Sequence, residues 1–166
     1  MNDFSWFKFY PSAVPHEVDC AAYSSVTELF EESVKKYGTA VAYECMGKTL
    51  SFQELDRLSA QFANYLIHEL KLSKGSRVAI QMPNVLQYPV AMFGALRAGM
   101  VVVNTNPLYT PSEMKHQFND SGADVVVITD IYASGTAFIE GVTGKLVVDA
   151  VVAAHRDVQV DWVPLR

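Results

Sequence analysis

The chain has 166 residues, half of them apolar and 19% charged, with a formal net charge of −5. That size and balance suit one globular domain with a real core and exclude a disordered chain. Scattered Lys and Arg residues form no basic stripe, which argues against a nucleic-acid surface. Apolar runs broken by Gly, Asn and Pro argue against a membrane-spanning helix.

The start, Met1 to Trp6, lacks the basic and then apolar pattern of a signal peptide. Cys20 and Cys45 have no CxxC spacing, so isolated, buried or reduced thiols are expected, in a reducing cytoplasm. Residues 1–23 carry Trp6, Phe7, Phe9 and Tyr10 among prolines Pro11 and Pro15. This stretch is expected to be an extended arm lying on a surface, because large aromatic side chains favour docking over a free tail.

Ser25-Val26-Thr27-Glu28 reads as a capping box. Val26, Leu29, Phe30 and Val34 then recur at helical spacing until Gly38. Runs 41–45 and 48–50 flank Met46-Gly47 as a short hairpin. Ser51-Phe52-Gln53-Glu54 is a second capping box, opening a long helix with Leu55, Leu58, Phe62, Leu66 and Leu70 on one face.

An alternation follows. Residues 77–82 read as a strand, 84–98 as a helix closed by Gly99, and 100–103 as a strand. Thr110-Pro111-Ser112-Glu113 combines an N-cap, a proline at the first helical position and a Glu at the third, opening a helix that ends near Ser121-Gly122. Residues 124–129 form another apolar strand. Continuous apolar strands alternating with helices predict an α/β fold: a parallel sheet with helices on both faces.

Beyond Asp130 the pattern weakens. Residues 131–140 suit a helix, 145–154 mix Val-rich strand character with Ala, and 158–163 alternate like a strand with Asp161 outward and Trp162 inward. The expected organisation is an arm at 1–23, an α/β core at 24–130 and a tail of uncertain register at 131–166, truncated or altered. Loss of agreement between local signals supports that view of the tail.

A set of segments occurs in order along the chain: Tyr10-Pro11 with Val14-Pro15, Lys48 to Phe52 with Leu55, Lys74 to Ala79, Met82-Pro83-Asn84, Gln87 to Ala91, Gly94 to Gly99, and Asn104 to Thr110. Together they resemble the AMP-forming acyl-CoA synthetases, in particular the bacterial long-chain fatty-acid–CoA ligases. The resemblance runs from about Trp6 to Asp130 and implies a partial N-terminal domain of the adenylate-forming fold. The implied parent reaction converts ATP, a fatty acid and CoA to acyl-CoA, AMP and pyrophosphate. It also implies fatty acid and CoA as substrates, ATP and Mg²⁺ as cofactors of the full-length family, a homodimer through the arm, and a cytoplasmic location with peripheral attachment to the inner face of the membrane.

The residues themselves place no catalytic, cofactor-binding or metal site. The family's phosphate loop, a Ser/Thr/Gly-rich stretch ending in Pro-Lys-Gly, does not occur. Tyr132 to Thr136 resembles its start but continues Ala137-Phe138 without the second Gly and the Pro-Lys. Gly141 to Lys145 lacks the first Gly and the Ser/Thr of a P-loop. The chain alone is therefore expected to be inactive and to bind no cofactor tightly.

His16, His68, His116 and His155 lack metal spacing. His116 and Asp120 stand one helical turn apart and are expected to be a solvent-facing pair. Met92, Phe93 and Met100 suggest an acyl pocket, but core positions are the simpler reading. The alternative function is a stand-alone, non-catalytic interaction or acyl-binding module with the same half-fold.

Overall fold

The computed structural model describes residues 4–129 in full, and the strands Leu146–Ala150 and Trp162–Pro164 by their backbone. In chain order it has α1 (Val26–Tyr37), a hairpin of β1 (Val41–Cys45) and β2 (Lys48–Ser51), and α2 (Phe52–Asn64). Then come β3 (Arg77–Gln81), α3 (Gln87–Arg97), β4 (Val101–Asn104), α4 (Pro111–Ser121) and β5 (Val125–Thr129), followed by β6 (Leu146–Ala150) and β7 (Trp162–Pro164).

The main sheet has the order β4-β3-β5-β6-β7. β3 pairs in parallel with both β4 and β5, and β5 pairs in parallel with β6. The parallel sheet expected from the strand–helix alternation is therefore present. The final pair departs from it, because β7 runs antiparallel to β6.

Strand alternation divides the core between two faces. Val78, Ile80, Val125 and Val127 pack on one side with Leu55, Phe62, Leu66, Ala91 and Ala95 from the segments of α2 and α3. Ala79, Val126 and Ile128 pack on the other side with Met114 and Phe118 of α4. Helices thus cover both faces, and α1 joins the first layer through Phe30, which stacks on Phe93 at 4.2 Å. Phe93, Met92 and Met100 belong to this core, Met100 being buried and Met92 and Phe93 packed against it.

The caps account for where the helices start. Ser51 and Glu54 bond reciprocally, so the capping box predicted there forms, and the predicted N-cap Thr110 makes another with Glu113. The first box differs: Ser25 accepts from the Glu28 amide, but the Glu28 carboxylate reaches Ser24, whose amide and hydroxyl both donate to it. α4 ends at Gly122, which is left-handed at φ 61°.

Two helix boundaries differ from the sequence reading. The long helix does not continue to Leu70 as an α-helix. It widens after Asn64 into a π-turn over Tyr65–Glu69, which keeps Leu66 fully buried. α3 begins at Gln87 rather than Asn84, because Pro83 and a local turn, Val85 N to Pro83 O and Tyr88 N to Val85 O, occupy the entry. Pro89 is then the third helical residue, where a missing N–H leaves no intrahelical bond unmade.

Residues 4–23 form turns, with a short 3₁₀ turn at Phe7–Phe9. Their rings stack on one another and stay largely exposed. Cys20 is exposed rather than buried, and Cys45 is half-buried with its thiol donating to the Asn84 carbonyl at 3.4 Å. Both thiols are free.

Candidate functional site

Three parallel strands end together at Gln81, Asn104 and Thr129. From β3 the chain passes through α3 to β4 on one side of β3, then through α4 to β5 on its other side. The gap between the carboxyl ends of β3 and β5 is therefore a topological switch point, where ligands gather in open α/β sheets.

The loop leaving β4 is fixed at this edge from several directions. Gln81 Nε2 donates to the Asn106 carbonyl at 3.3 Å, and Gln117 Nε2 to the Asn104 carbonyl at 2.9 Å. The Tyr88 hydroxyl donates to Asn104 Oδ1 at 2.6 Å. The Thr105 amide bonds Ile80 O at 3.0 Å, extending the ladder by one residue. Asn106 closes a local turn, its Oδ1 accepting from Leu108 N at 3.0 Å. Leu108 is left at the surface, 76% exposed.

Gln81 Oε1, Gln117 Oε1 and Thr129 Oγ1 are sealed from solvent without a hydrogen-bond partner among the described residues. Burial raises the Tyr88 hydroxyl above its usual range, with a smaller contribution from Tyr43, so it stays a neutral donor to Asn104. The hydroxyl and then the amide of Thr110 hold the Glu113 carboxyl below its usual range.

Beside the loop, Tyr109, Ser112, Glu113, His116, Gln117 and Asp120 line a groove of about 420 Å³. His116 and Asp120 both face solvent as expected, but no hydrogen bond or ion pair joins them. The other histidines lie apart from this edge in the fold: His16 stacks on Phe7 at 4.1 Å and His68 sits in the π-turn. His155, Tyr132 to Thr136 and Gly141 to Lys145 fall outside the described residues.

Among the described residues no three His, Cys, Asp or Glu side chains converge to hold a metal. β3 runs into Met82-Pro83-Asn84 rather than a glycine-rich turn. The edge is polar and tied together by its own hydrogen bonds. Sequence reading found no role for Gln81 or Gln117. The available signal was a glutamine at the end of an otherwise apolar buried strand, a polar group that must be met by something.

The signature of the AMP-binding enzymes matches residues 30–163, and the chain belongs to that family. The match extends past Asp130, where the recognisable motifs end. Among curated relatives, the long-chain-fatty-acid–CoA ligase of Escherichia coli O6:H1 is 48% identical over 147 residues, covering 89% of this chain and 26% of the relative. That of Yersinia pestis is 52% identical over 128 residues, covering 77% of this chain and 23% of the relative.

This chain therefore spans about a quarter of the length of these relatives. Two solved structures share its fold. The anthranilate CoA ligase AuaEII aligns at TM-score 0.67 and 19% identity, over 72% of this chain and 23% of that one. The N-terminal domain of FACL13 from Mycobacterium tuberculosis aligns at TM-score 0.66 and 23% identity, over 72% and 31%. The fold is part of the N-terminal domain of the adenylate-forming enzymes.

Proposed function

We propose that this chain is the N-terminal portion of a long-chain fatty-acid–CoA ligase, and that it is inactive alone. The supporting observation is the 48% identity that covers 89% of this chain but only 26% of the E. coli relative. The parent reaction joins a fatty acid and ATP as an acyl-adenylate with loss of pyrophosphate. CoA thiol then displaces AMP.

That reaction needs donors and a cation around the ATP phosphates, with Mg²⁺ to offset charge. The described residues do not fit this task. The orphaned oxygens of Gln81 and Gln117 are acceptors, and no metal-holding set of carboxylates converges. ATP, Mg²⁺, CoA and acyl contacts are assigned to the remainder of the full-length enzyme. This portion supplies a packed α/β layer and the pinned loop 104–110.

The same reading gives the chain a cytoplasmic location with peripheral attachment to the inner membrane face. No helix among the described residues is long and apolar enough to cross a membrane. The reading also gives the chain a second copy as partner, docked through the arm at residues 1–23.

The test is pyrophosphate exchange. Purified chain is given ATP, Mg²⁺ and palmitate, and transfer of labelled pyrophosphate into ATP is followed. Exchange no higher than a protein-free control is expected. Exchange clearly above it would show that this portion carries the chemistry.

A further inference from the structure

We propose that Met46, at the tip of the β1–β2 hairpin, is a site of selective and reversible oxidation by hydroperoxides. This concerns the chain's own sulfur chemistry and is independent of the ligase reading.

Cys45 pairs with Lys48 across the hairpin, so Met46 and Gly47 alone make the turn. Met46 stands there at φ 51°, in the left-handed region that disfavours a side chain of its kind. Asn, Asp or Gly would sit there at ease. Packing does not hold the methionine in place either, because it is 92% exposed. A residue that neither backbone nor burial favours is explained by a property of the side chain itself. What methionine brings is a thioether, which is soft, polarisable and open to oxidation.

The other methionines set the contrast. The chain has six. Met82, Met100 and Met114 are 4%, 4% and 2% exposed, and Met92 packs against the core. Met1 lies outside the described residues. An oxidant reaches a buried thioether only through local opening, whereas it meets Met46 directly. Oxidation of a core methionine sets a polar oxygen among apolar side chains. At the hairpin tip the same oxygen faces water. Among the described residues, the freely reached thioether therefore lies where its oxidised form is tolerated. The neighbouring thiol is tied back, since half-buried Cys45 donates to the Asn84 carbonyl at 3.4 Å.

In the forward step a lone pair on Met46 Sδ attacks the terminal oxygen of the hydroperoxide. The S–O bond forms as the O–O bond breaks. The departing oxygen takes the proton and leaves as an alcohol or, from hydrogen peroxide, as water. The sulfur is oxidised and the peroxide reduced by the same electron pair. Two thiols of a sulfoxide reductase reverse the change, ending as a disulfide while the oxygen leaves as water. The surface of the hairpin tip thus changes from apolar to polar without a change of fold.

The experiment treats the full chain with hydrogen peroxide in limiting steps. Each methionine is followed by peptide mass spectrometry, with fragment ions separating Met46 from Cys45. Sulfoxide at Met46 is expected to form about tenfold or more faster than at Met82, Met100 or Met114, the contrast that exposure sets. Chain oxidised at Met46 alone should keep the urea midpoint of the parent. The two epimer-specific sulfoxide reductases together should restore its mass. Met46→Leu should keep the fold and abolish the fast phase of methionine oxidation. A rate at Met46 no faster than at the buried methionines overturns the proposal. A lowered midpoint after its oxidation, or failure of the reductases to restore the thioether, does so too. Protection of Met46 that grows with protein concentration shows a second copy covering the tip, and also overturns it.

Discussion

Arg97 and Asp56 meet twice across the α2–α3 contact. Arg97 Nη1 lies 2.8 Å from Asp56 Oδ1 and donates to the Asp56 carbonyl at 2.9 Å. The same nitrogen reaches Ser59 Oγ at 3.0 Å, and the guanidinium lies 5.7 Å from the Phe30 ring centre. One side chain at the end of α3 therefore ties α2 and α1 together.

Arg97→Ala should lower stability by about 2 kcal/mol, the usual scale for charge-assisted bonds that are not fully buried. Arg97→Lys should recover only part of that loss: an ammonium can donate to the same oxygens, but it gives up the flat guanidinium over the Phe30 ring. Urea unfolding checks both. A change within error for Arg97→Ala would mean that apolar packing alone sets the α2–α3 contact.

Gly94 lets these two helices come close together. A Cβ there would lie 2.8 Å from Phe62 Cδ1 and 2.9 Å from the Ser59 carbonyl oxygen. Gly94→Ala should cost about 1–3 kcal/mol, the range for overpacking. Adding Phe62→Leu should relieve only part of the clash, because the Ser59 carbonyl is backbone. Full recovery in the double variant would locate the conflict entirely in the ring.

The capping boxes set an acid limit on stability. The Ser51 hydroxyl and then its amide hold the Glu54 carboxyl below its usual range, as Thr110 does for Glu113 and Ser24 for Glu28. A carboxyl lowered in the folded state stabilises fully above its unfolded value, taken as 4.5, and loses this as pH falls through its folded value. Ser51→Ala should cost about 1 kcal/mol at neutral pH, the usual worth of such a cap. The gap between variant and parent should narrow as the pH drops below the ordinary carboxylate range. A gap constant down to pH about 3 would assign the cap to the hydroxyl–amide bond alone.

Met46 sits at the tip of the β1–β2 hairpin with φ 51° and is 92% exposed. With Gly47 at φ 74° it makes a two-residue turn that favours Asn or Gly first. Met46→Asn should raise stability by about 1 kcal/mol, the low end of the cost of a left-handed non-glycine residue. Thermal unfolding measures it, and a lower midpoint would mean that the methionine side chain makes a stabilising contact.

Much of the fold was legible in local signals. Ser51-Glu54 and Thr110-Glu113 mark helix starts with side chains three residues apart, and the apolar strands 77–82 and 124–129 announce burial on both faces. The π-turn after Asn64 was not legible, because Leu66 and Leu70 keep helical spacing while the backbone widens beneath them. The retargeting of Glu28 to Ser24 was equally hidden, since two adjacent serines offer it equivalent partners. At the carboxyl edge, Gln81 reaches a carbonyl 25 residues on and Gln117 one 13 residues back. No periodicity records such pairings. The second exists only once α4 has crossed to its face of the sheet.

The bond from Gln117 to the Asn104 carbonyl bears on how the chain behaves in a crowded solution. β4 is the open border of the sheet, and its ladder to β3 uses the Val101 and Thr105 amides, leaving the Asn104 carbonyl turned away from β3. An unoccupied carbonyl on a Val-rich border is a template for strands of other molecules. The glutamine amide already fills that acceptor. A strand adding at this border would therefore meet one of its acceptors already filled, by a side chain from a helix rather than by another strand.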